Sequence, residues 1–257
     1  MACCYLYGAF FATTPNEINV YSIMGRRYCF LMFSVGFSMQ LYQQDAVEWL
    51  SSLADNSIDL LITDPPYESL EKHRKIGTTT RLKNSKSSSN QWFDIFPNQR
   101  FQTLLEHAYR VLKPNSHFYL FCDQETMFYI KPIAEQVGFK FWKPIVWDKV
   151  AIGMGYHYRA RYEFILFFEK GKRKLANLSI PDVLEFKRVY RGYPTEKPVP
   201  LIATLIEQSS VEGDIVADPF FGSGSTLVAA QQLQRQAWGN DISDAAHQHL
   251  RSRVLSL

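Results

Sequence analysis

No stretch of the 257-residue chain offers the roughly 20 consecutive apolar residues that a membrane-crossing helix needs. The nearest approach is Tyr28 to Met39, a mostly apolar run of 12 residues behind Arg26-Arg27. No small-residue cleavage site follows it, which argues against a signal peptide. Cysteine is scarce: Cys3, Cys4, Cys29 and Cys122 show no metal-ligand spacing, and two adjacent cysteines make a poor disulfide element. Reduced thiols in a cytoplasmic protein, with no metal and no membrane partner, are the expectation. A large excess of one charge is also missing. Formal net charge is +3, so composition alone does not announce nucleic acid. No internal repeat is present. What remains, 46% hydrophobic and 21% charged residues, suits one globular domain with ample core.

Regular patterning begins at Met39. Residues 1–38 read as an N-terminal extension without an assigned role, and Met39 is itself a reasonable start of the fold, with residues 39–257 forming the domain. Met39 to Tyr42 predicts a short strand, and Ala46, Val47, Leu50, Leu53 and Ala54 follow helical spacing. Ile58 to Thr63 is a continuous apolar run that reads as a buried parallel strand. Residues 71–92 are polar and read as a loop. Phe101, Leu104, Leu105, Ala108 and Leu112 form a second helical stripe, followed by a strand over 117–122 and a helix from about Glu125 that Gly138 would cap. Two strands, 141–147 and 163–168, precede a helix over 197–210. A strand at 214–217 leads into a glycine loop and a helix from Thr226. The last strand, 236–241, leads into a helix begun by Ser243. Strands alternating with helices predict an α/β domain with a mainly parallel sheet. Ligands bind such sheets beyond the carboxyl ends of the strands.

Two loops at such ends carry chemistry. Asp64-Pro65-Pro66-Tyr67 directly follows the apolar run. Its prolines fix two φ angles, remove two N–H donors and stiffen the residues before them. A rigid acceptor, Asp64, then stands beside an aromatic face, Tyr67, which suits a planar base bearing an amino group. The second loop is Asp218-Pro219-Phe220-Phe221-Gly222-Ser223-Gly224-Ser225-Thr226. Two glycines let backbone approach a ligand closely. No Lys-Ser/Thr follows them, which excludes a P-loop, and Leu227 stands where a dinucleotide fingerprint has its third glycine. Asp218 could accept from a ligand ammonium. Asp241 ends a strand about 20 residues later, where nucleoside-binding sheets place the acid that holds ribose hydroxyls. Each piece alone has a plain structural explanation, such as a turn or a helix cap; their joint placement after apolar strands is harder to explain that way.

DPPY followed by DPFFGSGST resembles the amino-methyltransferase family of DNA-modifying enzymes, in the order of its β group. The resemblance covers roughly residues 39–257. It implies a circularly permuted Rossmann-like sheet, mostly parallel with one antiparallel strand, in which the strand at Met39 fills the place beside the one ending at Asp241. It implies S-adenosylmethionine (SAM) as cofactor, held by Asp218, Phe220, Gly222, Ser223, Gly224, Ser225, Thr226 and Asp241. Tyr193-Pro194-Thr195-Glu196-Lys197-Pro198 is similar to the family's His-Pro-Thr-Gln-Lys-Pro segment beside SAM. Tyr193 and Glu196 depart from it, while Thr195, Lys197 and Pro198 match. Gln44-Asp45-Ala46 resembles a Gly-Asp-Ala segment near the SAM adenine, with the glycine missing, and brings in Asp45.

The resemblance further implies direct methyl transfer to an exocyclic amine. Asp64 and the Pro65 carbonyl would draw the amine toward a tetrahedral shape, within the catalytic set Asp64, Pro65, Pro66 and Tyr67. Positive charge grows on that nitrogen, and a carboxylate stabilises it. The base must leave its duplex to be reached, and Tyr67 would stack on it. Double-stranded DNA is therefore the expected partner, with a cognate restriction enzyme and a homodimer left open. Lys72, Arg74, Lys75, Arg81, Lys83 and Lys86 lie within 71–92 against one acid, Glu71, and read as phosphate contacts. A second basic run spans Lys170, Lys172, Arg173, Lys174, Lys187, Arg188 and Arg191. Sequence readout is expected near 171–192, shared with 71–92. Aspartate at position 64 favours N6 of adenine; relatives acting on N4 of cytosine more often carry serine there, and RNA or protein amino-methyltransferases more often carry Asn-Pro-Pro-Tyr. A non-catalytic nucleic-acid-binding relative and a nicotinamide oxidoreductase are the more distant alternatives.

Overall fold

The computed structural model describes residues 18–23, 26–32, 38–69, 94–153, 158–190 and 192–255, the first two segments and Ser38 by their backbone alone. Among the described residues ten strands form one sheet: β1 (Ile18–Ile23), β2 (Arg26–Met32), β3 (Ser38–Tyr42), β4 (Ile58–Thr63), β5 (Leu112–Cys122), β6 (Lys140–Asp148), β7 (Tyr162–Lys170), β8 (Val183–Glu185), β9 (Ile215–Asp218) and β10 (Gln236–Asn240). Their spatial order is β1-β2-β3-β10-β9-β4-β5-β7-β6-β8. The central run β3-β10-β9-β4-β5 is parallel. The permuted α/β sheet is thus present, with β3 beside β10. β7 is antiparallel to both its neighbours, the reversed strand that was expected. β2 is a second one, because β1 and β2 form a hairpin whose inner strand runs antiparallel along β3. Residues 28–32 of the apolar run therefore enter the sheet in β2, and Ser38 and Met39 enter it in β3.

Six helices flank the sheet among the described residues: α1 (Ala46–Ser52), α2 (Phe101–Val111), α3 (Gln124–Val137), α4 (Val199–Ser209), α5 (Ser225–Gln232) and α6 (Asp244–Val254). Two apolar layers follow from strand alternation. Leu60, Ile62, Tyr119 and Phe121 pack with Leu201, Leu205, Leu227 and Leu250 of α4, α5 and α6. Leu61, Phe118 and Leu120 pack with Trp49, Leu104, Leu105 and Ile130 of α1, α2 and α3. β4 is buried along its whole length, as the unbroken apolar run required. On α2, Phe101, Leu104, Leu105, Ala108 and Val111 are all buried, and each large side chain so placed contributes roughly 1.5–3 kcal/mol.

Local signals explain where the elements stop. Asp45 caps α1 by accepting from Val47 N and Glu48 N; Asp123 caps α3 by accepting from Thr126 N, and Ser243 caps α6. Gly138 ends α3 at φ +118°, where a Cβ would also press on the Tyr109 ring. The chain leaves β4 toward β5 on one side and β9 toward β10 on the other. The adjacent carboxyl ends of β4 and β9 therefore open a crevice at a topological switch point.

Candidate active site

A cavity of about 540 Å³ opens at this crevice, within the roughly 300–1,000 Å³ usual for small-molecule sites. Its walls include Asp64, Pro65, Pro66 and Tyr67 from the end of β4, the loop after β9, Asp241 after β10, and Asp45 before α1. Of the twelve residues the resemblance assigned to the cofactor, Asp45, Thr195, Lys197, Asp218, Phe220, Gly222, Ser223, Ser225, Thr226 and Asp241 line it. Pro198 and Gly224 stand behind it. Pro198 precedes α4 as its cap. Gly224 takes φ +76°, and a Cβ there would meet Leu250 Cδ1 at 2.4 Å.

The glycine loop is held by its neighbours. Asp218 Oδ1 accepts from Thr63 Oγ1 at 3.0 Å and from Phe220 N at 3.0 Å, bridging β4 and β9. Burial pushes the Asp218 carboxyl up to about 7, against the opposing bonds from Thr226, Phe220 and Thr63. Asp241 accepts from Gly222 N at 2.9 Å and Ser243 N at 2.8 Å; burial raises its carboxyl while these two bonds hold it back. Gly222 has φ +48°, and the nearest atom to an added Cβ would be the Tyr193 ring at 3.7 Å. The loop thus presents open backbone between the buried Asp218 and the half-buried Asp241. Ser225 Oγ donates to Lys197 O at 2.7 Å, which ties the loop to the Tyr193–Pro198 segment.

That segment explains one of its own departures from the family pattern. Glu196 sits 3.0 Å from Arg253 Nη2, and Arg253 Nη1 donates to Ser223 O at 3.0 Å. A glutamate here joins α6 to the glycine loop through a charged pair that glutamine would not form.

Asp45 faces the cavity with its carboxylate already engaged. Beside its two cap bonds it receives Arg100 Nη1 at 2.8 Å and Nη2 at 2.6 Å, and the Arg100 hydrogen bond leads the causes that hold its carboxyl below the usual range. Tyr67 is 9% exposed and packs in the α1–α3 layer while also lining the cavity. Its segment is pinned by Phe96 N, which donates to Pro66 O at 2.7 Å. Burial, then Glu163 and Asp64, keep the phenol neutral. Among the described residues nothing donates to the Pro65 carbonyl or to Asp64 Oδ1.

Asp64 has a partner that sequence reasoning placed elsewhere. Lys197 Nζ donates to Asp64 Oδ2, and it lies 3.4 Å from Glu163 Oε2. Glu163 Oε1 in turn is 2.6 Å from Lys149 Nζ. Burial raises the Asp64 carboxyl and the Lys197 ammonium opposes the rise. Burial works against the Lys197 charge too, but Asp64 and Glu163 outweigh it and hold the ammonium charged.

Glu163, Phe121, Asn240 and Phe96 are cavity residues absent from the sequence reading. A signal for Glu163 existed: the first residues of an antiparallel strand lie at the same sheet edge as the last residues of its parallel neighbours. Asn240 is marked only by what it joins, donating from Nδ2 to Gln44 O at 3.0 Å and Pro219 O at 3.2 Å.

Lys72, Arg74, Lys75, Arg81, Lys83 and Lys86 lie outside the described residues. The second basic run divides between the two ends of the sheet. Lys170 donates to Tyr109 O at 2.6 Å, Leu112 O at 2.5 Å and Asn56 Oδ1 at 3.1 Å, at the end remote from the cavity, where Lys170 pairs with Ser116. Lys187 and Arg188 follow β8 at the cavity end and are exposed; the Arg188 guanidinium lies 4.4 Å from the Tyr190 ring centre. No group of His, Cys, Asp and Glu among the described residues has the grouping of a metal site, and no described helix is long and apolar enough to cross a membrane.

Comparison with known proteins agrees with this geometry. The family described as DNA methylase matches residues 58–251. The type II methyltransferase M.HpaI of Haemophilus parainfluenzae is 32% identical over 232 residues, spanning 79% of this chain and 70% of that protein. M.HhaII of Haemophilus parahaemolyticus is 24% identical over 206 residues, spanning 78% and 89%. Among solved structures, the M1.HpyAVI–SAM complex superposes with a TM-score of 0.62 at 24% identity, over 84% of this chain and 99% of that one. The cytosine-N4-specific PvuII DNA methyltransferase superposes with a TM-score of 0.65 at 16% identity, over 82% and 86%. These superpositions bear on the fold.

Proposed function

The chain belongs to the DNA methylase family, and on that premise we propose that it transfers a methyl group from SAM to N6 of adenine in double-stranded DNA. The observation that carries the reading is the convergence on one cavity of the glycine loop and of Asp64, whose Oδ1 has no donor among the described residues. The donor set suits SAM. Asp218 offers a buried acceptor for an ammonium, Asp241 an acceptor for ribose hydroxyls, and Phe220 an apolar wall. The Gly222 backbone leaves open the space that a side chain would fill.

When bound, SAM supplies an electrophilic methyl group on a sulfonium, which the amine takes with both electrons staying on the departing thioether. The residues of this chain supply the rest. Asp64 Oδ1 and the Pro65 carbonyl accept from the two N–H bonds of the amine, localise its lone pair, and face the positive charge that grows on nitrogen. The Asp64 carboxylate is then the nearest acceptor for the surplus proton. Tyr67 and Phe96 give the base an apolar wall, and the two prolines hold the acceptors fixed before the base arrives. The exposed Lys187 and Arg188 place cationic charge on the face that the duplex would approach.

Adenine is favoured over cytosine by aspartate at position 64, where the cytosine enzymes more often carry serine. M.HpaI and M.HhaII are type II methyltransferases, which supports a defined recognition sequence. The test is modification-sensitive sequencing of DNA from cells expressing the protein. N6-methyladenine in a single sequence context is the expected result, and N4-methylcytosine, or no modified base, would overturn it.

A further inference from the structure

Asp64, Lys197 and Glu163 line the cavity, and with Lys149 beyond Glu163 they form a row of four charges in alternating sign. Their contacts are the Asp64–Lys197 pair, 3.4 Å between Lys197 and Glu163, and 2.6 Å between Glu163 and Lys149. They come from four separate places: the loop after β4, the segment before α4, the start of β7 and the residue that follows β6. All four side chains are largely removed from solvent, at 27%, 9%, 26% and 20% exposure in that order. Burying four charges is expensive, and well-packed apolar residues commonly serve stability as well or better. Such an arrangement beside a cavity points to chemistry.

Its difficulty lies in Lys197. An ammonium on the acceptor carboxylate competes with the incoming amine, and it places positive charge where the reaction builds more. Glu163 answers both problems. Its Oε2 gives Lys197 a second anchor beside Asp64, and its Oε1 neutralises Lys149. Asp64 Oδ1 is left without a donor among the described residues. With Glu163 present the four charges sum to zero; without it the row carries a net positive charge. The other titratable groups facing the cluster include the Tyr67 phenol, the Cys122 thiol and the Asp123 and Asp218 carboxyls, none of which pairs with either lysine.

We propose that Glu163 is a positioning residue for methyl transfer, holding the Lys197 ammonium clear of the working oxygen of Asp64 and offsetting the charge of Lys149. The proposal rests on the methyl-transfer reading above. Glu163 acts through Lys197 and need not touch the base.

The test is steady-state methylation of duplex DNA carrying the wild-type recognition sequence, with tritiated SAM, for the wild type, Glu163→Gln, Lys149→Gln and the double variant. Glu163→Gln is expected to lower kcat roughly tenfold to a hundredfold, with KM for SAM and DNA within about threefold of the wild type. Removing the surplus cation should recover the part of the loss that is due to charge, so the double variant should be faster than Glu163→Gln, while the part due to the lost Lys197 anchor remains. A purely packing role would make the two losses add. A double variant no faster than Glu163→Gln, wild-type kcat in Glu163→Gln, or a loss confined to KM would each overturn the proposal. If the glutamine variant does not fold, as judged by its melting transition, Glu163→Asp replaces it: the charge stays but the side chain is one methylene shorter and cannot span both ammoniums, so kcat should fall with the KM values unchanged, and wild-type kcat in that variant would overturn the proposal. The wild-type reaction is the control for the reading beneath, because an inactive wild type refutes methyl transfer itself and leaves its own distinct signature.

Discussion

Asp218→Asn should stabilise the ligand-free protein above neutral pH and do nothing of the kind in mild acid. Asp218 is 3% exposed, and burial raises its carboxyl from 3.8 to about 7. At 1.36 kcal/mol per unit, ionising it inside the fold costs about 4 kcal/mol above pH 7. The folded state binds this proton more tightly than the unfolded chain. Its contribution is therefore fully present below pH 4 and lost as pH rises toward 7. An asparagine keeps the Oδ1 acceptor for Thr63 and Phe220, but its amide N–H groups need partners of their own, at roughly 1–2 kcal/mol. The net gain at pH 8 is about 2 kcal/mol. For a chain of this length that raises Tm by roughly 4–8 °C. At pH 5 wild-type Asp218 is already neutral, so the gain should vanish or reverse. Melting curves between pH 5 and pH 8 without SAM test this directly. A Tm difference that is the same at both ends, or larger in acid, would refute the assignment of a buried, strained carboxylate. The same variant should bind SAM more weakly, because an amide cannot neutralise an ammonium; stability gained and function lost would go together.

The remaining predictions are briefer. SAM binding to the wild type should release protons, by up to about half a proton at pH 7, because an arriving cation favours ionised Asp218; calorimetry in buffers of differing ionisation enthalpy reads the number, and Asp218→Asn should abolish it. Asp64→Ala should lower turnover by about 10²–10³ or more while leaving SAM affinity within a few-fold, and near-normal turnover by that variant would remove Asp64 from its role. His117 gives a pH dependence of opposite sign to Asp218. Burial lowers its imidazole from 6.5 to about 4, the unfolded chain takes the proton first, and stability is lost as pH falls from about 6.5. The shift amounts to about 3 kcal/mol, so His117→Gln should flatten the acid limb of a melting-temperature profile. Since His117 bonds Ser209 Oγ at 2.7 Å and Arg173 O at 3.2 Å at the end of the sheet away from the cavity, methylation at pH 8 should be little changed.

What the sequence made legible, and what it hid, divides along a physical line. Strands and helices with one apolar stripe were readable because burial imposes a period: the α2 stripe from Phe101 and the β4 run from Ile58 lie within a residue or two of where they were expected. The caps Gly138 and Ser243 were readable, since their chemistry is local, whereas Asp45, read only with the cofactor, also caps α1. The β1–β2 hairpin was not, because nothing within residues 18–32 says that the open edge of β3 would receive it. The cavity residues follow the same rule. DPPY and the glycine loop carry their meaning in consecutive residues. Glu163 carries its meaning only through Lys197 and Lys149, one on either side of it in the chain and each in a different segment.

Lys197 shows the consequence for reading a site. The Thr-Glu-Lys-Pro segment placed it with the cofactor, and Lys197 does line the shared cavity. Its ammonium, however, is committed to Asp64 and Glu163, so its first effect is on the acceptor. A loop motif fixes which backbone approaches a ligand, whereas a long side chain leaving that loop reaches several ångströms further and answers to whatever charge it meets. The two carboxylates ahead of Lys197 outweigh the cost of burying its charge. Removing one of those carboxylates should move the ammonium before it moves the backbone, and for that reason kcat, rather than the melting temperature, is the quantity that should register Glu163.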